Sequence, residues 1–537
     1  MRRQSMWTIV CVCGMFAGVV AVGESQGAEP KQTRSTEVTG AELFQREWIP
    51  QDQRSHGGDG LGPVFNDSSC VACHNQGGTG GGGPASKNVD IVSAFLNEGA
   101  MQRPQKPSAF GVVLRAAIGL KPTPDSPRDA KARAIRHQGL VKEVRRLHPG
   151  FLNARSVVVH LFGTDDKYTT WRDGMVVSNH GFRNLIVTES MPAVSFSSDA
   201  TDVVVGEGKV TANPDFAAQQ RANHLMRATI NASQFVQGVA RRQGNFTLNS
   251  TQRNPTALFG VGAIDAIPES VLIAAAEKKY AQFPKVTGRV ARLPGGKIGR
   301  FGWKAQKSTL RAFAMAACAV ELGLHVPDHP QAGHPSQPKY KPAGFDMNQR
   351  ECDLLVEYLQ HLPQPVVNTG SIPAGTAYLE GGKQLFAKVG CTTCHVEKLG
   401  EVQAIYSDLL LHDMGDTLGD TGDYGVFIPD SPGGEAEGVV PPLADAGKTI
   451  PATKVKPQDI LGATRLEWKT PPLWGVRDSA PYLHDGRAKT VEQAIAFHGG
   501  EGQKSAMLFF ALDAKERLQM VAFLKSLVAP RQVVDRR

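Results

Sequence analysis

The chain has 537 residues, a formal net charge of +8, 41% hydrophobic residues and 20% charged residues. This composition is that of a globular protein of about three domains, and it excludes a chain that is too polar to bury a core. The basic residues are scattered and form no run of five like charges, so they favour a mildly basic surface over a nucleic-acid-binding one. The charge indicates at most a preference for an acidic protein partner.

Residues 1–28 have the pattern of a secretory signal peptide. Arg2 and Arg3 precede the apolar stretch MWTIVCVCGMFAGVVAVG, and small residues follow at 21–23 and 26–28. A positive start, an apolar centre and a small-residue exit are the three parts of such a signal. The alternative is an uncleaved membrane anchor, because the apolar run is close to the lower length limit for a span. We expect export to the periplasm or another extracytoplasmic space, with membrane contact only if this segment is retained.

Two CxxCH motifs, CVACH at residues 70–74 and CTTCH at residues 391–395, lie about 320 residues apart. In such a motif the two thiols attach a haem covalently and the histidine binds its iron. A zinc site would instead need paired CxxC motifs closer together. The sequence therefore predicts two haem c groups, held by Cys70, Cys73, His74, Cys391, Cys394 and His395. Outside the motifs and the signal, Cys318 and Cys352 are either a disulfide or two separate thiols.

The two parts of the chain repeat the same order of motifs. GAELF and NPTALFGVGAIDAIPE flank the first CxxCH, and GKQLF and TPPLWGVRDSAPYLHDG flank the second. We interpret this as a duplicated haem domain in a mostly α-helical fold, with the first copy enlarged by insertions. The predicted boundaries are an N-terminal c-type haem domain at 36–275, a helical connector with a Pro-rich loop at 276–370, and a C-terminal cytochrome c-like domain at 371–530.

Within this frame, individual elements can be predicted in chain order. Strand signals are weak apart from RSVVVHLF and TDVVVGEGKV. The connector contains a predicted amphipathic helix over 308–322 and a second helix around NQRECDLLVEYLQHL, which closes before Pro363. The last helix begins with the capping-box pattern of Asp513 and Glu516 and carries a wide apolar stripe.

A short helix near the C-terminus ends in a candidate ligand for the second iron. Thr490 and Gln493 have the spacing of a capping box, and Gly499 follows His498 directly. One helix face carries residues at i, i+3, i+4 and i+7, which are Val491, Ala494, Ile495 and His498. A histidine there can point at a buried ring, but it can equally be a core histidine that interacts with the helix dipole.

TPPLWGVRDSAPYLHDGRAKTVEQAIAFH beside paired CxxCH motifs resembles the bacterial di-haem cytochrome c peroxidase superfamily. NPTALFGVGAIDAIPE, GRFGWKAQKSTLR and YSDLLLHDMGDTLGD are similar to signatures of its di-haem oxidoreductase branch, sometimes labelled thiol oxidoreductase. The resemblance implies two cytochrome c-like domains with one haem each, of which one relays electrons and the other meets peroxide. We expect a small redox protein, a cytochrome or a copper protein, as electron donor. The alternative is an electron-transfer cytochrome without substrate chemistry of its own.

The resemblance also implies a ligand for the second haem. In the family, this ligand follows the histidine of the YxHDG motif by fourteen residues, and here that step leads from His484 to His498. We therefore expect bis-histidine ligation by His395 and His498, which lowers the potential relative to a methionine ligand. His412 resembles a further family histidine, for which we expect a structural or propionate-contacting role. Calcium is implied less strongly, because only its carbonyl ligands at Ser479 and Pro481 can be assigned.

The first haem has no obvious sixth ligand. Other peroxidases of the superfamily carry a removable histidine soon after this motif, whereas this chain has GGTGGGGPASKNVD. We expect an open or water-bound iron that can bind peroxide. The alternative is closure by a distant histidine, and the candidates are His137, His148, His160, His180 and His224.

Peroxide cleavage needs an acid–base group near the open iron. Arg253 and Glu269 flank the PTALFG turn and are the candidates. The alternative roles are a propionate contact for Arg253 and a helix cap for Glu269. Electron relay between haems uses a tryptophan in this family, and the candidates are Trp48, Trp171, Trp303, Trp468 and Trp474.

Overall fold

Helices provide more of the ordered backbone than strands do. The computed structural model describes residues 38–97, 127–152, 154, 156–176, 214–233, 239–367, 375–422 and 461–530. Its α-helices are α1 (Gly40–Gln45), α2 (Cys70–Cys73), α3 (Pro127–Leu147), α4 (Asp166–Met175), α5 (Pro214–Asn231), α6 (Val261–Asp265), α7 (Glu269–Ala276), α8 (Leu310–Glu321), α9 (Gln349–Gln360), α10 (Gly375–Lys388), α11 (Val491–Ala496), α12 (Gln503–Ala511) and α13 (Ala514–Lys525). Its strands are β1 (Val64–Phe65), β2 (Val89–Leu96), β3 (Ser156–Val159), β4 (Phe162–Gly163), β5 (Val239–Gln243), β6 (Phe246–Arg253), β7 (Ala291–Arg292), β8 (Ile298–Gly299), β9 (Val366–Val367), β10 (Leu411–Asp413), β11 (Glu467–Lys469) and β12 (Leu527–Val528).

Several predicted elements are confirmed. The helix expected over 308–322 is α8, and the second helix of that region is α9, whose Asn348 and Glu351 form a capping box. The capping box of Asp513 and Glu516 is formed at the start of α13. RSVVVHLF contains β3, whereas TDVVVGEGKV and the predicted signal segment lie outside the described residues. No helix among the described ranges is long and apolar enough to cross a membrane.

Each CxxCH motif follows a helix that crosses a later helix at a glycine. Gly40 of α1 faces α9, where a Cβ would lie 2.1 Å from the Leu354 carbonyl oxygen. Gly382 of α10 faces α13 in the same way, with a Cβ 2.3 Å from the Gln519 carbonyl oxygen. The glycine that GAELF and GKQLF share thus allows the two helices of each pair to approach closely, and the repeat seen in the sequence is also a repeat in packing.

An antiparallel sheet with strand order β3-β2-β6-β5 stands between the two motifs in the chain. Its register pairs Val92 of β2 with Val157 of β3 and with Ser250 of β6. Buried side chains of this sheet, such as Phe246 and Leu248, form a core with α3. The sequence did not predict β2 or β6, because VDIVSAFL lacks polar alternation and FTLNSTQR is mostly polar. The first part of the molecule therefore mixes helix with sheet.

Candidate haem sites

The second CxxCH motif presents its histidine in the form that an iron ligand requires. Nδ1 of His395 lies 2.9 Å from the carbonyl oxygen of Tyr406. Because a carbonyl can only accept, Nδ1 donates its proton there and Nε2 keeps its lone pair. Burial lowers the pKa of His395 to about 4, so the ring is neutral near pH 7.

His498 lines the same cavity, and its Nδ1 also donates to a backbone carbonyl. Its Nδ1 lies 2.7 Å from the carbonyl oxygen of Ala494, which leaves Nε2 free, and burial lowers its pKa. His395 and His498 both line a cavity of about 290 Å³, together with Cys391 and Cys394. The structure thus brings together the two histidines that the sequence proposed as a ligand pair.

His74 of the first motif is oriented by the same kind of contact. Its Nδ1 lies 3.0 Å from the carbonyl oxygen of Thr256 and 3.3 Å from that of Gly81, and burial lowers its pKa to about 4. Three neutral imidazoles with a fixed Nδ1 and a free Nε2, two of them in CxxCH motifs, fit the requirements of haem iron. The cavity of His395 also reaches Gly82 and Thr256, so it extends to the surroundings of the first motif.

The glycine run after His74 packs against the motif itself. A Cβ on Gly81 would lie 1.7 Å from the carbonyl oxygen of Gln76, and one on Gly83 would lie 2.6 Å from that of Cys73. Since the carbonyl of Gly81 contacts Nδ1 of His74, this loop lies on the side of the ring away from Nε2. The glycines therefore help to hold the ring of His74 from its Nδ1 side.

The distant histidines have other contacts where they are described. Nε2 of His160 lies 2.7 Å from the Val320 carbonyl oxygen, and Nδ1 of His148 accepts from the Gly150 amide at 3.0 Å. Both rings line a second cavity, of about 320 Å³. His224 is exposed on α5. The side chain of His137 and the whole of His180 lie outside the described residues.

The two proposed acid–base residues make contacts other than the structural alternatives proposed for them. Arg253 is buried in a two-pronged ion pair with Asp420, at 2.7 and 3.1 Å, and its guanidinium lies 5.0 Å from the centroid of the Trp468 ring. Glu269 is exposed at the start of α7, where it accepts from the Ile298 amide at 3.1 Å. Asp420 therefore holds the guanidinium in place, and Glu269 stabilises a loop against a helix terminus.

Glu321, which the sequence reading missed, has the properties of an acid–base group near the first motif. It ends α8 and accepts a hydrogen bond of 2.6 Å from the side-chain amide of Asn66. Burial raises its pKa to about 7, and its charge contributes to the raised pKa of the Cys73 thiol, so the two groups are close. The available signal was a single carboxylate at the end of the apolar helix AFAMAACAVE.

Trp303 connects the surroundings of the two motifs. Its indole NH donates to the carbonyl of Asn254 at 2.9 Å, two residues before the carbonyl that holds His74. It also lines the cavity that contains His395, as do Trp468 and Trp474. Trp171 instead packs against His148, and Trp48 against Arg46.

Other candidate ligands also lie near this cavity. Ser479 and Pro481 line it, but the calcium proposed for their carbonyls stays a prediction. Both ring nitrogens of His412 contact carboxylates, at 2.7 and 2.9 Å, so neither is left for a propionate.

Cys318 of α8 and Cys352 of α9 are buried free thiols.

A comparison with models of known protein families identifies the family of this chain. The family model "Di-haem oxidoreductase, putative peroxidase" matches residues 232–428 and 443–527, more than half of the chain. The chain belongs to the di-haem oxidoreductase family. The matched ranges begin at residue 232, so the first CxxCH motif, strands β2 and β3 and helices α3 to α5 all precede them.

Individual relatives of this di-haem oxidoreductase are distant. It is 28% identical over 147 residues to the methylamine utilization protein MauG of Methylorubrum extorquens, covering 26% of this chain and 32% of MauG. It is 26% identical over 178 residues to the cytochrome-c peroxidase IdrP2 of Denitromonas iodatirespirans, covering 29% of this chain and 41% of IdrP2. The matches thus span less than half the length of these curated relatives.

Two solved structures show weak similarity. Hydrazine synthase of Kuenenia stuttgartiensis is 18% identical with a TM-score of 0.27, covering 52% of this chain and 73% of that one. A MauG-like protein associated with microbial copper homeostasis is 19% identical with a TM-score of 0.25, covering 50% and 90%. These scores are low, and the family assignment rests on the sequence match.

Proposed function

We propose that this di-haem oxidoreductase is an exported peroxidase in which the two haems have different roles. Cys70, Cys73 and His74 would hold the haem that meets peroxide or a related oxidant. Cys391, Cys394, His395 and His498 would hold the haem that passes electrons. The observation that carries the proposal is the placement of His395 and His498 around one cavity, each with Nε2 free.

The chemistry divides between the cofactor and the chain. When bound, haem supplies the redox chemistry, because its iron can take electrons singly and deliver them to an oxidant. Reduction of one hydrogen peroxide to two waters takes two electrons and two protons. The chain must therefore bring one-electron donors and a proton-transferring group to the same oxidant.

Glu321 is the proposed proton carrier at the first site. With its pKa raised to about 7 by burial, its carboxylate can accept a proton from bound peroxide and return it to the leaving oxygen. The hydrogen bond from Asn66 orients the carboxylate and leaves its second oxygen available. The glycine loop contacts Nδ1 of His74 and would leave the Nε2 side of the ring to the haem.

Electron transfer between the sites is the proposed role of Trp303. Its ring lines the cavity beside His395, and its NH is held by the segment that orients His74. The donor that reloads the second haem is proposed to be a small cytochrome or copper protein outside the cytoplasm.

The spin states of the two irons test the proposal. We expect electron paramagnetic resonance of the ferric protein to show one high-spin and one low-spin haem, and the protein to reduce peroxide with a reduced cytochrome as donor. Two low-spin haems without peroxide turnover would instead indicate an electron-transfer cytochrome. Fewer than two covalent haems by mass spectrometry would refute both functions.

A further inference from the structure

Asp408, His412 and Glu501 form a buried carboxylate–imidazole cluster beside the second CxxCH motif. Nε2 of His412 lies 2.9 Å from Asp408 Oδ2, and Nδ1 lies 2.7 Å from Glu501 Oε2. Glu501 is also held by the amide and hydroxyl of Thr287, at 2.9 and 3.0 Å. A Cβ on Gly288 would lie 2.3 Å from Cε1 of His412, so the neighbouring loop leaves room for the ring only because this residue is glycine.

The contacts require His412 to be an imidazolium. Both carboxylates can only accept, so each ring nitrogen carries a proton that it donates. Burial alone would lower the pKa of His412, but the charges and hydrogen bonds of Asp408 and Cys394 together raise it well above its usual value. Of these, the contribution of Asp408 remains when Cys394 is a haem thioether, which has no charge. Two carboxylates and one imidazolium give the cluster a net charge of −1.

This charge lies next to the proposed haem attachment. Nδ1 of His412 is 3.6 Å from Sγ of Cys394, and His412 and Glu501 both line the cavity of His395 and His498. The other ionisable groups that interact with the cluster are His395, Tyr280, Lys469, whose ammonium interacts with Asp408, and Asp413, whose carboxylate interacts with Glu501. A negative charge in such a low-dielectric site stabilises the oxidised iron over the reduced one, because oxidation adds a positive charge.

We propose that the carboxylate–imidazole cluster holds the reduction potential of the second haem low. Asp408, His412 and Glu501 are then positioning residues, since they act on the haem through their charge and take no part in ligation. The inference rests on the proposed haem at Cys391 and Cys394, and it assigns the low potential to this chain's own charges as well as to the ligand pair.

The test is a potentiometric titration of the holoprotein and of variants that remove one charge each. Glu501→Gln and Asp408→Asn should raise the potential of the low-spin haem, whereas Lys469→Gln should lower it. A unit charge acting over about 10 Å at an effective dielectric constant of about 20 changes the ferric-to-ferrous ratio about tenfold. For a one-electron couple this is about 59 mV. Asp416→Asn, which removes an exposed carboxylate paired with Arg465, should leave the potential unchanged.

The outcomes separate this inference from the proposed function. A protein without a second covalent haem would refute the proposed function itself. If both haems are present, unchanged potentials in Glu501→Gln and Asp408→Asn would overturn the inference alone. A shift of the same sign in Lys469→Gln would also overturn it, since packing and not charge would then move the potential. Loss of the second haem in both carboxylate variants would show a purely structural role and would overturn it as well.

Discussion

The helix crossing at Gly382 allows a prediction whose size follows from the structure. In Gly382→Ala the new methyl group would lie 2.3 Å from the Gln519 carbonyl oxygen and 2.8 Å from Cβ of Phe523. Neither atom can rotate away, so α10 and α13 must separate by about 1 Å to restore a normal contact. Overpacking of this kind costs about 1–3 kcal/mol, and the better helix propensity of alanine offsets about 1 kcal/mol. We expect a net loss of up to about 2 kcal/mol.

The preceding residue provides a matched control. A Cβ on Gly381 would contact only the side-chain amide of Gln519, whose Nε2 lies at 2.0 Å. This amide is the end of a side chain that can move. Gly381→Ala therefore gains the helix propensity without the backbone clash and should be neutral or slightly stabilising.

Thermal unfolding of the two holoproteins, followed by circular dichroism, measures the difference. We expect Gly382→Ala to melt up to about 4 °C below the wild type and Gly381→Ala at or slightly above it. Equal melting temperatures for the two variants would show that the crossing tolerates a side chain, and the reasoning from the shared glycine would be refuted.

Four further variants test the site and its surroundings. Arg253→Met leaves Asp420 buried without its ion-pair partner and should lower the free energy of unfolding by about 3–5 kcal/mol. Glu269→Gln, at an exposed position, should leave stability and peroxide turnover unchanged. The wild-type turnover rate should rise as the pH increases through about 7, because the raised pKa of Glu321 keeps the carboxyl protonated below that pH. The variant Glu321→Gln should abolish this rise and lower the rate about 100-fold or more. His498→Met should raise the potential of the low-spin haem and change its absorption spectrum, and an unchanged spectrum would remove His498 from the iron.

The sequence predicted what depends on neighbouring residues. The capping residues of α13 and the apolar stripe of α8 are local patterns, and both helices occur close to the predicted bounds. The sheet depends on distant pairing instead, since β2 pairs with a strand more than 150 residues later. No local pattern specifies that partner, so the sequence alone did not predict a sheet in this part of the chain.

The same distinction applies to the site. A CxxCH motif contains its chemistry within five residues, so the attachment positions could be proposed from spacing alone. The carboxylate–imidazole cluster joins His412 to a carboxylate 89 residues later, and only the folded chain shows that contact. Glu321 was missed because a glutamate at a helix end is ordinary in sequence, and its burial beside the first motif gives it its pKa.

The histidines of the two CxxCH motifs are anchored over different lengths of chain, and this affects the order in which their contacts form. His395 is held by a carbonyl 11 residues later, whereas His74 is held by one 7 residues later, at 3.3 Å, and by one 182 residues later, at 3.0 Å. Closing the 182-residue loop costs about 2.5 kcal/mol more in chain entropy than closing the 11-residue loop, from the logarithmic dependence on loop length. The second imidazole can therefore be fixed by a short segment, while the Thr256 contact of the first forms only when the intervening sheet has assembled. The full orientation of His74 is thus tied to the folding of residues that precede the part of the chain matched by the family.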